Sequence, residues 1–170
     1  MKRIIGLVVA IVATLGLTTP PATALPNWET TATTWTNPAA NHPLITDLRY
    51  AQHAGFDRVV IRVRGRIPGY RATFHRRFFY DASGERVPIR GGVQVVLMPA
   101  YAHNQAGGNV YRGPQLTRPG LPTLKAIAMT GDFEGQVSFA FGLRPRRTPY
   151  RIFRLHDPQR LVIDFRHTTQ

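Results

Sequence analysis

The chain has no cysteine in 170 residues. That excludes a disulfide framework, a thiolate nucleophile and any cysteine-ligated metal site. Lysine is nearly missing too, with 2 among 22 Lys+Arg, and carboxylates are scarce at 9 Asp+Glu. No Asn-x-Ser/Thr glycosylation acceptor occurs. Long apolar runs are absent apart from one near the start, and no segment carries a helical apolar stripe. There is no G-x-S-x-G elbow, no P-loop and no HExxH. The six histidines, at 42, 53, 75, 103, 156 and 167, show no paired metal-ligand spacing. A cofactor or metal enzyme is therefore not what these residues suggest, and no cofactor and no metal is expected.

The first 24 residues read as a secretory leader. Lys2 and Arg3 form a basic head, Ile4 to Leu17 an apolar stretch, and Ala22-Thr23-Ala24 a small-x-small cleavage signal. The stretch is short for a bilayer span, and no second one follows, so stable membrane insertion is not expected after cleavage behind Ala24. The exported chain would then be soluble, secreted or held at the cell envelope. Its 146 residues suit one domain with its own core.

The exported part keeps 20 of the 22 Lys+Arg against 9 Asp+Glu, a net charge of +11. Such a balance steers anionic partners towards the surface. Nucleic acid is the usual partner of a basic domain, but export argues against it. Cell-wall polymers with carboxylates and phosphates, anionic headgroups or an envelope protein are the partners left. A codon bias that supplies arginine for solubility alone would give the same balance.

Residues 25–43, rich in Thr, Pro, Ala and Asn, read as an arm without sustained periodicity. Both tryptophans, Trp28 and Trp35, lie in it and are expected to pin it to the domain by burying apolar area. From Leu44 onward the period is two. In "DRVVIRVRG", Val59, Ile61 and Val63 alternate with Arg58, Val60, Arg62 and Arg64. The segments 44–52, 70–75, 93–98, 124–129, 136–141, 150–155 and 160–165 continue the pattern between Gly- and Pro-bearing turns. About eight short strands over 44–170 predict an all-β fold, an antiparallel sandwich. Residues 99–122 lack strand character and predict a long loop, packed or disordered.

Asp132 and Glu134 flank Phe133 in "GDFEG", a spacing that would suit a carboxylate pair on a strand. The flanking glycines argue for a turn instead. In "LHDPQRLVIDF", Asp157-Pro158 opens a turn, and Leu161, Ile163 and Phe165 then face the core. Asp164, on the opposite face, is expected to pair across strands with Arg58 or Arg62.

"PYRIFRLHDPQRLVIDF", "GFDRVVIRVRG" and "GDFEGQVSFAFGL" resemble the AMIN-like domain of exported actinobacterial proteins, over about residues 45–167. That family is related to the AMIN modules of cell-wall amidases and pilus secretins. The resemblance implies a β-sandwich that binds and localises, with peptidoglycan the ligand assigned to its amidase-linked relatives. It brings no catalytic residues. The expected function is a non-catalytic, wall-associated binding module, with a small secreted hydrolase or enzyme inhibitor as the alternative. For electrostatic binding the candidates are Arg62, Arg64 and Arg66, with Arg144, Arg146 and Arg147 of the "RPRR" turn. Arg62 and Arg64 share a strand face about 6.6–6.8 Å apart, and guanidinium forks fit carboxylate and phosphate alike.

Overall fold

The computed structural model describes residues 24–168. The leader assigned to residues 1–24 thus lies, but for Ala24, outside the described residues. Ten strands and no helix occur among those residues. In chain order they are β1 (Thr33–Trp35), β2 (Leu44–His53), β3 (Phe56–Arg64), β4 (Gly69–His75) and β5 (Gly92–Met98), then β6 (Leu116–Thr117), β7 (Leu124–Phe133), β8 (Gln136–Leu143), β9 (Tyr150–Leu155) and β10 (Arg160–Arg166). They form two antiparallel sheets, one ordered β1-β4-β5-β8-β7-β6 and one ordered β2-β3-β10-β9. The fold is all-β and sandwich-like, as the period of two predicts. The two strands beyond the expected eight are β1 and β6. At three and two residues they are too short for alternation to show.

The alternating pattern does its work on the inner faces. Ile61, Leu161, Ile163 and Phe165 of the four-stranded sheet meet Val95, Leu97, Phe139 and Phe141 of the other in one fully buried cluster. Each such side chain contributes roughly 1.5–3 kcal/mol by leaving water. Strand β8 is buried on its outer face as well. There the connection between β4 and β5 folds back, and Phe78, Val87 and Ile89 pack on Ala126, Ala128 and Ala140. The predicted loop 99–122 is an ordered, packed segment. Ala100, Ala102 and Tyr111 are buried in it, and the Tyr111 hydroxyl donates to the Pro114 carbonyl at 3.1 Å. Burial pushes that phenol's pKa up, so it stays a donor.

The arm closes one side of the sandwich. Glu29 exchanges both backbone hydrogen bonds with Tyr150, at the edge of the four-stranded sheet (2.6 and 2.9 Å). A few residues later β1 pairs with β4 and becomes the edge of the other sheet. Two strand edges that would stand open are thereby covered. The Tyr150 hydroxyl ties the crossing down, donating to the Thr31 carbonyl at 2.8 Å and meeting Thr33 Oγ1 at 3.0 Å. Trp28 lies over the Arg151 guanidinium at 4.4 Å and Trp35 over Arg154 at 3.9 Å. The tryptophans do pin the arm, through cation–π contacts as well as burial.

Under Trp28 sits the expected cross-strand pair. Strand register places Asp164 between Arg58 on β3 and Arg151 on β9. Arg58 donates to both carboxylate oxygens, Nε to Oδ1 at 2.7 Å and Nη2 to Oδ2 at 2.9 Å. Arg151 Nε adds a third bond to Oδ2 at 2.8 Å. Asp164 is wholly buried, while Arg58 and Arg151 keep 25% and 10% of their side-chain surface. A second buried carboxylate, Asp57, accepts the backbone N–H groups of Thr123 and Leu124 and the His167 ring N–H. It thereby ties β3 to the start of β7 and to the end of the chain.

Removing the carboxylate would leave two guanidinium groups facing each other beneath an aromatic cover. Asp164→Ala is expected to lose on the order of 3–5 kcal/mol in urea unfolding. Glu85→Ala, at an exposed residue of the β4–β5 connection, should change stability by no more than about 0.5 kcal/mol. Equal small losses in both variants would contradict this assignment.

Candidate functional site: an arginine-lined cleft

The six arginines singled out in the sequence fall in several places. Arg62 and Arg64 are exposed on the outer face of β3. Arg62 lies opposite Asp47 on β2 and Arg160 on β10. The Asp47 carboxylate is already engaged, by Arg49 Nε at 2.8 Å and the Leu48 N–H at 2.9 Å. Arg66 lines a separate cleft of about 640 Å³ with Trp35, Arg154 and His156. Arg147 lies over the Phe74 ring at 5.6 Å. Only Arg144 and Arg146 share one cavity.

That cavity, about 770 Å³, lies at the outer side of the six-stranded sheet, where the β4–β5 connection leaves the sheet. The connection supplies Arg76, Arg86 and Arg90. Arg118, from the stretch between β6 and β7, and Lys125 of β7 line the same cavity. With Arg144 and Arg146 they make seven cations, and no carboxylate is among the lining residues. Glu85, next to Arg86 in sequence, is not among them either. None of the seven takes part in an ion pair among the described residues.

Local backbone features aim these groups. Lys125 is the extra residue of a bulge in the β7–β8 ladder, between Leu124 and Ala126. A bulge re-aims its side chain, and the Lys125 ammonium donates to the Leu121 carbonyl at 2.5 Å. Arg118 Nη2 donates to the Pro88 carbonyl at 2.7 Å, bridging the β6–β7 stretch to the β4–β5 connection. The floor is made of small residues, Gly91, Gly142 and Ala126. A Cβ on Gly91 would meet the backbone oxygens of His75 and Arg76, and the Arg146 Cδ at 2.7 Å. Glycine here lets Arg146 lie directly over the chain. His75, just before Arg76, has its pKa pushed down by burial and then by Arg71, so near neutrality its ring adds no charge.

The "GDFEG" carboxylates are not brought together as a pair. Glu134 and Gly135 form a two-residue hairpin turn with φ of 49° and 73°. Asp132 accepts from the Ala102 N–H at 3.0 Å and from His103 Nδ1 at 2.7 Å, holding the 99–122 segment against β7. The "DPQR" stretch is likewise a turn, between β9 and β10, where His156 Nδ1 meets Gln159 Oε1 at 3.0 Å. Among the described residues no group of three or more His, Asp or Glu could hold a metal ion.

Sequence reading reached two of the seven cleft cations. The other five lie in separate segments: arginine density in "HRRF" and "GERVPIRGG" marks Arg76, Arg86 and Arg90, while Arg118 and Lys125 carry no local signal. Because the candidate arginines carry no ion pair, Arg62, Arg64, Arg144 and Arg146 changed together to Gln should shift Tm by less than about 3 °C in calorimetry. Gly91→Ala should instead cost roughly 1–3 kcal/mol, since backbone must move to admit the methyl. A large Tm loss in the quadruple variant would mean that these side chains hold the fold.

Comparison with known families bears on what such a surface serves. No curated protein and no solved structure matches the chain. The family profile of the AMIN-like domain matches residues 43–167, from the residue before β2 to the last residue but one of the described chain. The "GFDRVV" and "DPQRLVIDF" segments inside it carry Asp57, Arg58 and Asp164, the charged groups that hold the sheets. Over that span, which is most of its length, the chain belongs to the AMIN-like domain family.

Proposed function

We propose that the protein is an exported, non-catalytic module that attaches to the cell wall or to an envelope partner through its arginines. Membership in the AMIN-like family supports a cell-wall-associated binding role in general, and domains of that family are generally non-catalytic. The observation that carries the finer reading is the cleft of seven cations without a carboxylate. Uncompensated cations crowded into one concave surface repel each other, and an anionic ligand relieves that repulsion. The exposed pair Arg62 and Arg64 lies on the outer face of the other sheet and offers a separate cationic surface. An anionic wall polymer, peptidoglycan included, carries the opposite charge that such a surface attracts. The alternative of a secreted hydrolase draws little support, since Asp132 and Glu134 serve a loop contact and a turn.

The purified exported form should be retained on insoluble cell wall and release no soluble sugar or peptide. Retention should fall steeply with added salt, because exposed ionic contacts are screened within about 10 Å at 0.1 M. Single substitutions should hardly register, each exposed contact being worth about 0–1 kcal/mol. The quadruple variant at Arg62, Arg64, Arg144 and Arg146 should bind more weakly and with a flatter salt dependence. Turnover of wall fragments by the pure protein, or unchanged retention of the folded quadruple variant, would overturn the proposal.

A further inference from the structure

Seven cations around one cavity favour a ligand of high charge density. The cavity volume of about 770 Å³ lies within the range of about 300–1,000 Å³ that accommodates one drug-sized ligand. A uronic-acid or peptide-type polymer brings about one carboxylate per sugar or residue. A stretch short enough to enter would leave most of the seven cations without a counter-charge. A phosphate group differs on both counts, carrying about −1.5 to −2 as a monoester and presenting three strong acceptor oxygens. Two joined phosphates concentrate several charges within a few bond lengths, and each can engage guanidinium forks from different walls.

Part of the cleft lining is already fixed in place. Arg118 and Lys125 are anchored by the carbonyls of Pro88 and Leu121. Arg76, Arg86, Arg90, Arg144 and Arg146 make no side-chain hydrogen bond among the described residues, so their forks stand ready for a ligand. Gly91, which lets Arg146 lie over the floor, sits where the walls meet.

We infer that the arginine-lined cleft binds a compact ligand bearing two or more clustered phosphates, of the pyrophosphate type, in preference to carboxylates. This rests on the reading of the cleft as an anion site and names the chemical class it takes. Two sources supply that chemistry, a soluble phosphate ester and a pyrophosphate headgroup at a membrane surface.

Isothermal titration of the exported chain with inorganic pyrophosphate, orthophosphate and the tricarboxylate citrate tests the class. Pyrophosphate should bind at least about tenfold more tightly than citrate, a ligand of similar charge without the phosphate oxygens. The double variant Arg86→Gln/Arg90→Gln should weaken pyrophosphate binding by about tenfold or more. Arg71→Gln/Arg112→Gln, which removes the same charge from exposed residues outside the cleft, should not weaken it beyond about twofold. Phosphatidylcholine vesicles doped with a prenyl pyrophosphate separate the sources: co-sedimentation assigns the headgroup, and binding in solution alone assigns the soluble ester. Equal affinity for citrate and pyrophosphate, or equal loss in both double variants, would overturn the inference. If wall retention persists while pyrophosphate fails, only this inference falls. Pyrophosphate binding without wall retention would instead remove the proposed function.

Discussion

The ion triad of Arg58, Asp164 and Arg151 is the contact on which the outer face of the four-stranded sheet depends. A carboxylate that is wholly out of water costs several kcal/mol unless its partners are well placed. Here three short hydrogen bonds from two arginines supply them. The triad then works as a platform. Arg151 carries Trp28 on its face, and Arg58 packs between Phe56 and Phe153 at 5.0 and 5.3 Å. Through Trp28 the same contact fixes the arm, and the arm covers an edge of each sheet. One charge cluster thus holds strand pairing, arm docking and edge protection together.

This use of carboxylates has an electrostatic consequence. Asp57 and Asp164 are turned inward, Asp47 is spent on the next two residues of its own strand, and Asp132 on the 99–122 segment. Few acidic groups remain to neutralise the surface, and none lines the cleft at the β4–β5 connection. The arginines divide into two groups accordingly. Arg58 and Arg151 are locked in the fold, whereas Arg86, Arg90, Arg144 and Arg146 face solvent. The distinction is between hydrogen-bonded pairing to a buried carboxylate and exposed, screened charge, not between residue types.

Much of the framework was readable from residue alternation alone. The inward set of β3 and β10 follows from the period of two, and that alternation already puts Asp164 on the face that Arg58 occupies. Strands β1 and β6 were not readable, because two or three residues cannot display a period and their existence depends on a partner strand. The 99–122 segment hid its order for a related reason. It is held by contacts to distant residues, Asp132 among them, rather than by a local pattern. The cleft was the least legible part. Its cations come from the β4–β5 connection, the β6–β7 stretch, β7 and the β8–β9 turn, which only the sheet topology gathers. "RPRR" pointed to one wall, arginine density in "HRRF" and "GERVPIRGG" hinted at a second, and nothing local pointed to Arg118 or Lys125.

The central claim is that these two groups of arginines do different jobs. It is tested most directly by following arginine Nε–Hε resonances by NMR during titration with solubilised wall polymer. The account predicts that signals of Arg86, Arg90, Arg144 and Arg146 move together with one saturation curve, while those of Arg58 and Arg151 stay in place. Shifts spread evenly over all exposed arginines, or movement of the Arg58 and Arg151 signals with the cleft unchanged, would contradict it.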